Sequence, residues 1–130
     1  MIVVDSSAFL ATLQHEPEGP EFTARLMAAD QAVVSAVTLQ EAAMVLHSRF
    51  GPGGVDDLEA LIAALAIEVL PFTQEHARLA VQAFARFGKG VSPVGRLNLC
   101  DCSAYALAAA LDAPLLCKGD DFPATDIRIA

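Results

Sequence analysis

A chain of 130 residues, 55% of them hydrophobic, has the size and apolar content of one domain with one core, so a single domain over residues 1–130 is expected. No apolar run reaches the roughly 18 residues that a membrane helix needs, and the opening MIVVD has neither a basic n-region nor a cleavage site, so a cytoplasmic protein without a signal peptide is expected. Sixteen acids against 8 bases give a net charge of −8, which excludes gripping nucleic acid by bulk electrostatics alone; a nucleic-acid partner would require a local reversal of sign.

Met1 to Val4 is a short β-branched run that predicts a buried strand closed by Asp5. Ser7 to Gln14 predicts a helix, Glu16-Pro17-Glu18-Gly19-Pro20 a turn, Glu21 to Ala29 a second helix and Gln31 to Ser35 a second strand. In Thr38 to Phe50 the residues Leu39, Ala42, Ala43, Leu46 and Phe50 recur at helical spacing. Val37, Met44 and Val45 add apolar character to the face carrying Glu41, so this helix is expected to be buried nearly all round. Gly51 to Gly54 should stop it, with a further helix from Asp56 to Ala66 and a strand from Ile67 to Pro71.

Thr73 to Phe87 predicts a long helix, capped by Thr73 and ended by Gly88. Gly88 to Arg96 is the one extended polar loop. Asp101 to Leu111 predicts the last helix, followed by strands at Pro114 to Lys118 and Asp126 to Ile129. Short apolar strands separated by helices point to an α/β fold in which a mostly parallel sheet is covered on both faces and ligands gather at the carboxyl ends of the strands.

The acids fall at those ends. Each has an ordinary structural use: Asp5 and Asp101 as helix N-caps, Glu41 as the return partner of Thr38 in a capping box, and Asp120 and Asp121 in a turn. Yet Glu41 has no Lys or Arg one turn away to pair with. Brought together, these carboxylates would repel unless protonated or bridged by a hard divalent cation, and an all-oxygen donor set suits Mg²⁺ or Mn²⁺. Such a cation would also make an acidic pocket attract phosphate.

Arg86, Lys89 and Arg96 place three of the eight bases just before Asp101, as candidate phosphate contacts, while Arg49 and Lys118 are placed near other acids of the set. Cys100, Cys102 and Cys117 are odd in number, and the first two are one residue apart, a poor framework for disulfides or zinc; free thiols are expected. The three histidines are expected on helical stretches, and neither a dinucleotide nor a P-loop phosphate cradle is present.

The ordered pieces Ile2-Val3-Val4-Asp5-Ser6-Ser7-Ala8, Glu41, Gly88-Lys89-Gly90, Leu97-Asn98-Leu99-Cys100-Asp101-Cys102-Ser103-Ala104-Tyr105, and Leu115-Leu116-Cys117-Lys118-Gly119-Asp120-Asp121-Phe122 with Thr125-Asp126-Ile127 resemble the PIN-domain ribonucleases, specifically the VapC-type toxins of toxin–antitoxin pairs. The resemblance runs end to end. It implies a Rossmann-like α/β/α sandwich of four to five strands and a Mg²⁺- or Mn²⁺-dependent endoribonuclease with the acidic quartet Asp5, Glu41, Asp101 and Asp121, with Ser6 and Asp120 as auxiliaries. It further implies an RNA substrate, a cognate antitoxin and a homodimer. Cys100 departs from the family's usual glycine, and Ser6 from its common threonine. The rivals are a Mg²⁺-dependent phosphohydrolase or phospho-acceptor domain, whose D-x-D pattern fails at Ser7, and a non-catalytic PIN-like interaction module.

Overall fold

Successive strand residues point to opposite faces of a sheet, and in this chain both faces are apolar, so a core forms on each side. The computed structural model describes all of Met1–Ala130. Strands β1 (Ile2–Val4), β2 (Ala32–Ser35), β3 (Glu68–Leu70) and β4 (Leu115–Leu116) make one sheet in the order β3-β2-β1-β4, with every pair parallel. On one face Val4, Val34 and Leu116 pack against helices α1 (Ser6–Leu13), α2 (Gly19–Ala28), α3 (Ala36–Phe50) and α4 (Pro52–Ala64), through Phe9, Phe22, Leu46 and Leu58. On the other, Val3, Val33 and Leu115 meet α5 (Gln74–Phe87) and α6 (Leu99–Leu111), through Ala83, Tyr105 and Leu107. This is the expected α/β/α sandwich, and no helix is long and apolar enough to cross a membrane.

The chain steps from β1 outward to β2 and β3, then returns past β1 to β4. The carboxyl ends of β1 and β4 therefore flank the point where strand order reverses, the place where open α/β sheets leave a crevice for ligands.

Several boundaries differ from expectation, each for a local reason. Gly51 alone breaks the chain, at φ +71°, and Pro52 then opens α4, four residues before the expected Asp56. Helix α3 starts at Ala36 because Ser35 Oγ accepts the Val37 N–H at 3.2 Å, and Met44 and Phe50 remain exposed, so the helix is not buried all round. Helix α6 starts at Leu99, capped by Asn98 rather than by Asp101. The expected final strand shrinks to a single bridge of Ile129 to Leu115, since β4 is only two residues long. His15 lies just past α1 in left-handed backbone rather than on a helix, and the thiols are all free.

Gly54 sets the contact between α3 and α4: a Cβ there would lie 2.8 Å from the Leu46 carbonyl oxygen and 3.1 Å from Phe50 Cβ. Gly54→Val should therefore push the two helices apart and cost about 1–3 kcal/mol, read as a lower urea midpoint, whereas Gly53→Ala, where a Cβ meets nothing, should leave the midpoint near that of the native chain.

Candidate metal centre

Asp5 follows β1 directly and caps α1. Its Oδ2 accepts the Ser7 N–H at 3.0 Å and the Ser7 hydroxyl at 2.7 Å. The residue is only 4% exposed, and no Lys or Arg pairs with it, so burial is the main cause of a carboxyl held above its usual range; the charge of Glu41 adds to that, and the Ser7 hydrogen bonds oppose it.

Glu41 does not form the capping box with Thr38, because α3 is capped by Ser35 and starts at Ala36, which places Thr38 and Glu41 inside the helix. Instead the Ser6 hydroxyl donates to Glu41 Oε1 across the α1–α3 packing. Ser6 is itself 5% exposed, so the donor end of this contact is buried. Thr38 is fully buried and its hydroxyl has no partner.

Asp101 sits in the first turn of α6 in a reciprocal capping box: its backbone N–H donates to Asn98 Oδ1 at 2.9 Å, and its Oδ2 accepts the Asn98 N–H at 3.0 Å. Its pKa is pushed up to about 6, chiefly by burial and then by the charges of Asp5, Glu41 and Asp121, with the Asn98 N–H opposing. These three acids thus act on Asp101 from within one electrostatic neighbourhood. Asp121, after β4, lines an open cleft of about 670 Å³ together with Asp101, Asn98, Lys89 and Arg96, whereas Asp120 does not line it.

None of the chain's ion pairs reaches Asp5, Glu41, Asp101 or Asp121. With the side chains as they stand, no three His, Cys, Asp or Glu residues are drawn close enough to enclose an ion. The donor set is nevertheless oxygen only, anionic and uncompensated, which fits a hard divalent cation better than any other group. The thiols do not compete: burial first and the neighbouring carboxylates second push Cys100 and Cys117 up to about 12, so both stay protonated at neutral pH.

The bases divide. Lys89 and Arg96 line the cleft and form no ion pair. Arg86 stands apart, 3.1 Å from Asp126 Oδ2 and stacked over the Phe87 ring, while Tyr105 donates to Asp126 Oδ1 at 2.6 Å. Arg49 bonds to Gln14, and Lys118 pairs with Glu16 and Glu18, so neither meets the four acids. The sequence alone points to no part for Ser7 in the site and does not separate Arg86 from Lys89 and Arg96. The D-S-S spacing carries a signal for the first, since it puts a hydroxyl two residues past an N-cap. The second depends on a partner 40 residues away.

A family model described as "PIN domain" matches residues 2–128. The VapC ribonuclease Mb2004c of Mycobacterium bovis is 40% identical over 128 residues, covering 98% of this chain and 91% of the relative, and Ribonuclease VapC36 of Mycobacterium tuberculosis matches to the same extent. Ribonuclease VapC28 of Mycobacterium tuberculosis is 38% identical over 129 residues, covering 99% of this chain and 97% of the relative. Among solved structures, the sarcin–ricin-loop-cleaving toxin VapC20 of Mycobacterium tuberculosis superposes with a TM-score of 0.77 at 19% identity, over 100% of this chain and 98% of that one. A toxin–antitoxin complex from Klebsiella pneumoniae gives a TM-score of 0.72 at 15% identity, over 100% and 97% of the two chains. The chain belongs to the PIN-domain family and, within it, to the VapC ribonucleases.

Proposed function

We propose that this chain is a divalent-cation-dependent endoribonuclease, the toxin of a toxin–antitoxin pair, acting in the cytoplasm on RNA phosphodiester bonds. What supports this reading is that Asp5, Glu41 and Asp121 all act electrostatically on Asp101, that no basic side chain pairs with any of the four, and that Asp101 and Asp121 line one cleft with two bases that are themselves unpaired. Asp5 and Asp101 are the direct ligands for Mg²⁺ or Mn²⁺, and Glu41 and Asp121 complete or orient the set. When bound, the cation supplies a lowered pKa for water and positive charge at the scissile phosphate.

The rest of the chemistry falls to the chain. Lys89 and Arg96 hold phosphates of the RNA at the mouth of the cleft, a local exception to the net charge of −8. Asp121 lies open in the same cleft and accepts the proton of the attacking water as its oxygen bonds to phosphorus and the bond to the leaving ribose oxygen breaks. Ser6 keeps one oxygen of Glu41 occupied and so fixes which oxygen faces the crevice. The family's antitoxin is the expected partner, its C-terminal segment covering the cleft and setting an Arg against the carboxylates. Two copies of the chain pair through the apolar groove of about 430 Å³ formed by Val37, Phe72, Val81, Phe84 and Leu99, where Val81 is 69% and Leu99 80% exposed.

Purified protein should cut RNA in Mg²⁺ or Mn²⁺ and stop in EDTA. Asp5→Asn and Asp101→Asn should each slow cleavage by roughly 10²-fold or more, while Cys100→Ala with Cys102→Ala leaves it largely intact; cleavage that survives chelation or either Asn substitution sinks the metal–carboxylate assignment. A second outcome concerns pH. Because the folded Asp101 carboxyl titrates near 6, above the roughly 3.9 of a free aspartate, the folded chain binds more protons than the unfolded chain in that window. Melting of the cation-free protein should therefore shift downward as pH rises from about 4 to 7, added Mn²⁺ should restore it most at the upper end, and Asp101→Asn should flatten the profile. Finally, Val81→Glu should convert a dimer to a monomer in light scattering without lowering the melting temperature of the monomer fold.

A further inference from the structure

The Ser7 hydroxyl joins two parts of the crevice that lie 111 residues apart in sequence. It accepts the backbone N–H of Lys118 at 2.9 Å and donates to Asp5 Oδ2 at 2.7 Å. A backbone N–H can only donate, so the Ser7 oxygen is the acceptor toward Lys118 and its single proton is left for the carboxylate. The Ser7 N–H donates to the same oxygen, at 3.0 Å. Both of these bonds fall on Oδ2.

Lys118 is held from its other end as well. Its Nζ pairs with Glu16 Oε2 at 2.6 Å and Glu18 Oε2 at 3.1 Å, on the turn between α1 and α2. Immediately after it, Gly119 at φ +98° turns the chain into Asp120 and Asp121. The Ser7 bond to Lys118 therefore ties the loop after β1, which carries the first acid, to the loop after β4, which carries the fourth.

We propose that Ser7 is a positioning residue for the cation site: its hydroxyl sets the rotation of the Asp5 carboxylate and the spacing between Asp5 and the segment bearing Asp121. It touches neither cation nor substrate and acts through Asp5, as partners behind a metal ligand commonly do. The inference rests on the metal-centre reading given above. It is separable from helix capping, because the cap also uses the Ser7 backbone N–H, which an alanine keeps.

The test is Mn²⁺ binding by the RNA-free full-length protein, followed by the paramagnetic resonance signal of free Mn²⁺, for the native chain, Asp5→Asn, Ser7→Ala and Ser7→Thr. Ser7→Ala should weaken binding by roughly 10–100-fold, Ser7→Thr should restore it, and melting in EDTA should change little in either. In a crystal of metal-free Ser7→Ala the Asp5 carboxylate should be found rotated from its native position. Native affinity in Ser7→Ala, an unmoved Asp5, or a threonine variant as weak as the alanine one would each overturn the proposal. If Asp5→Asn also binds Mn²⁺ as the native chain does, the metal-centre reading itself has failed and this proposal falls with it; loss in Asp5→Asn with no loss in Ser7→Ala refutes the positioning role alone.

Discussion

Mutual repulsion among four carboxylates is the constraint around which the catalytic end of this fold is organised. Asp5, Glu41 and Asp121 all act on Asp101, and no basic side chain of the protein is paired with any of the four. Burial compounds the cost, since it disfavours the charged form just where neighbouring charges already do. What offsets it is backbone. Asp5 stands at the N-terminus of α1 and Asp101 in the first turn of α6, where unpaired N–H groups and the helix dipole favour negative charge. The parallel sheet supplies the rest, because it brings the ends of β1 and β4 side by side.

Under the proposed function, local hydrogen bonding and cation binding therefore do not compete for these residues. Asp5 gives Oδ2 to Ser7, Asp101 gives Oδ2 to Asn98, and Glu41 gives Oε1 to Ser6. In each case the chain fastens one carboxylate oxygen. A carboxylate held by one oxygen loses little further rotamer freedom on meeting a cation, so under the proposed function these bonds lower the entropic cost of assembling the site.

This dual use explains what could be read from the sequence and what could not. Strand–helix alternation and the placing of Asp5, Asp101 and Asp121 near element ends follow from local pattern, whereas Glu41 lies inside α3 and the last expected strand is a single bridge. Helix starts moved by two to four residues because several eligible caps stand close together: Ser35 won over Thr38, Asn98 over Asp101, and Gly51 with Pro52 over the rest of the glycine run. Choosing among them requires knowing where the preceding strand ends, which is a tertiary matter. Arg86 illustrates the other limit. Its spacing to Lys89 suggested a shared phosphate role, but its partner Asp126 comes from the far end of the chain, and no local signal announces such a pairing. Ser6 and Ser7 look alike in the sequence, yet one turns toward Glu41 and the other toward Asp5 and Lys118.

The distribution of the bases completes the electrostatic picture. Arg25, Arg86, Lys118 and Arg128 are spent on acids elsewhere, and Arg49 on the Gln14 amide, which leaves Arg78, Lys89 and Arg96 without a side-chain partner. Two of those three line the acidic cleft. On a chain of net charge −8, two cations cannot outweigh four carboxylates at close range, so without a bound cation the centre of the cleft repels a phosphodiester even while its rim attracts one. Under the proposed function a divalent cation reverses that sign at the centre, and RNA binding and catalytic competence then become a single event governed by the protonation of Asp101.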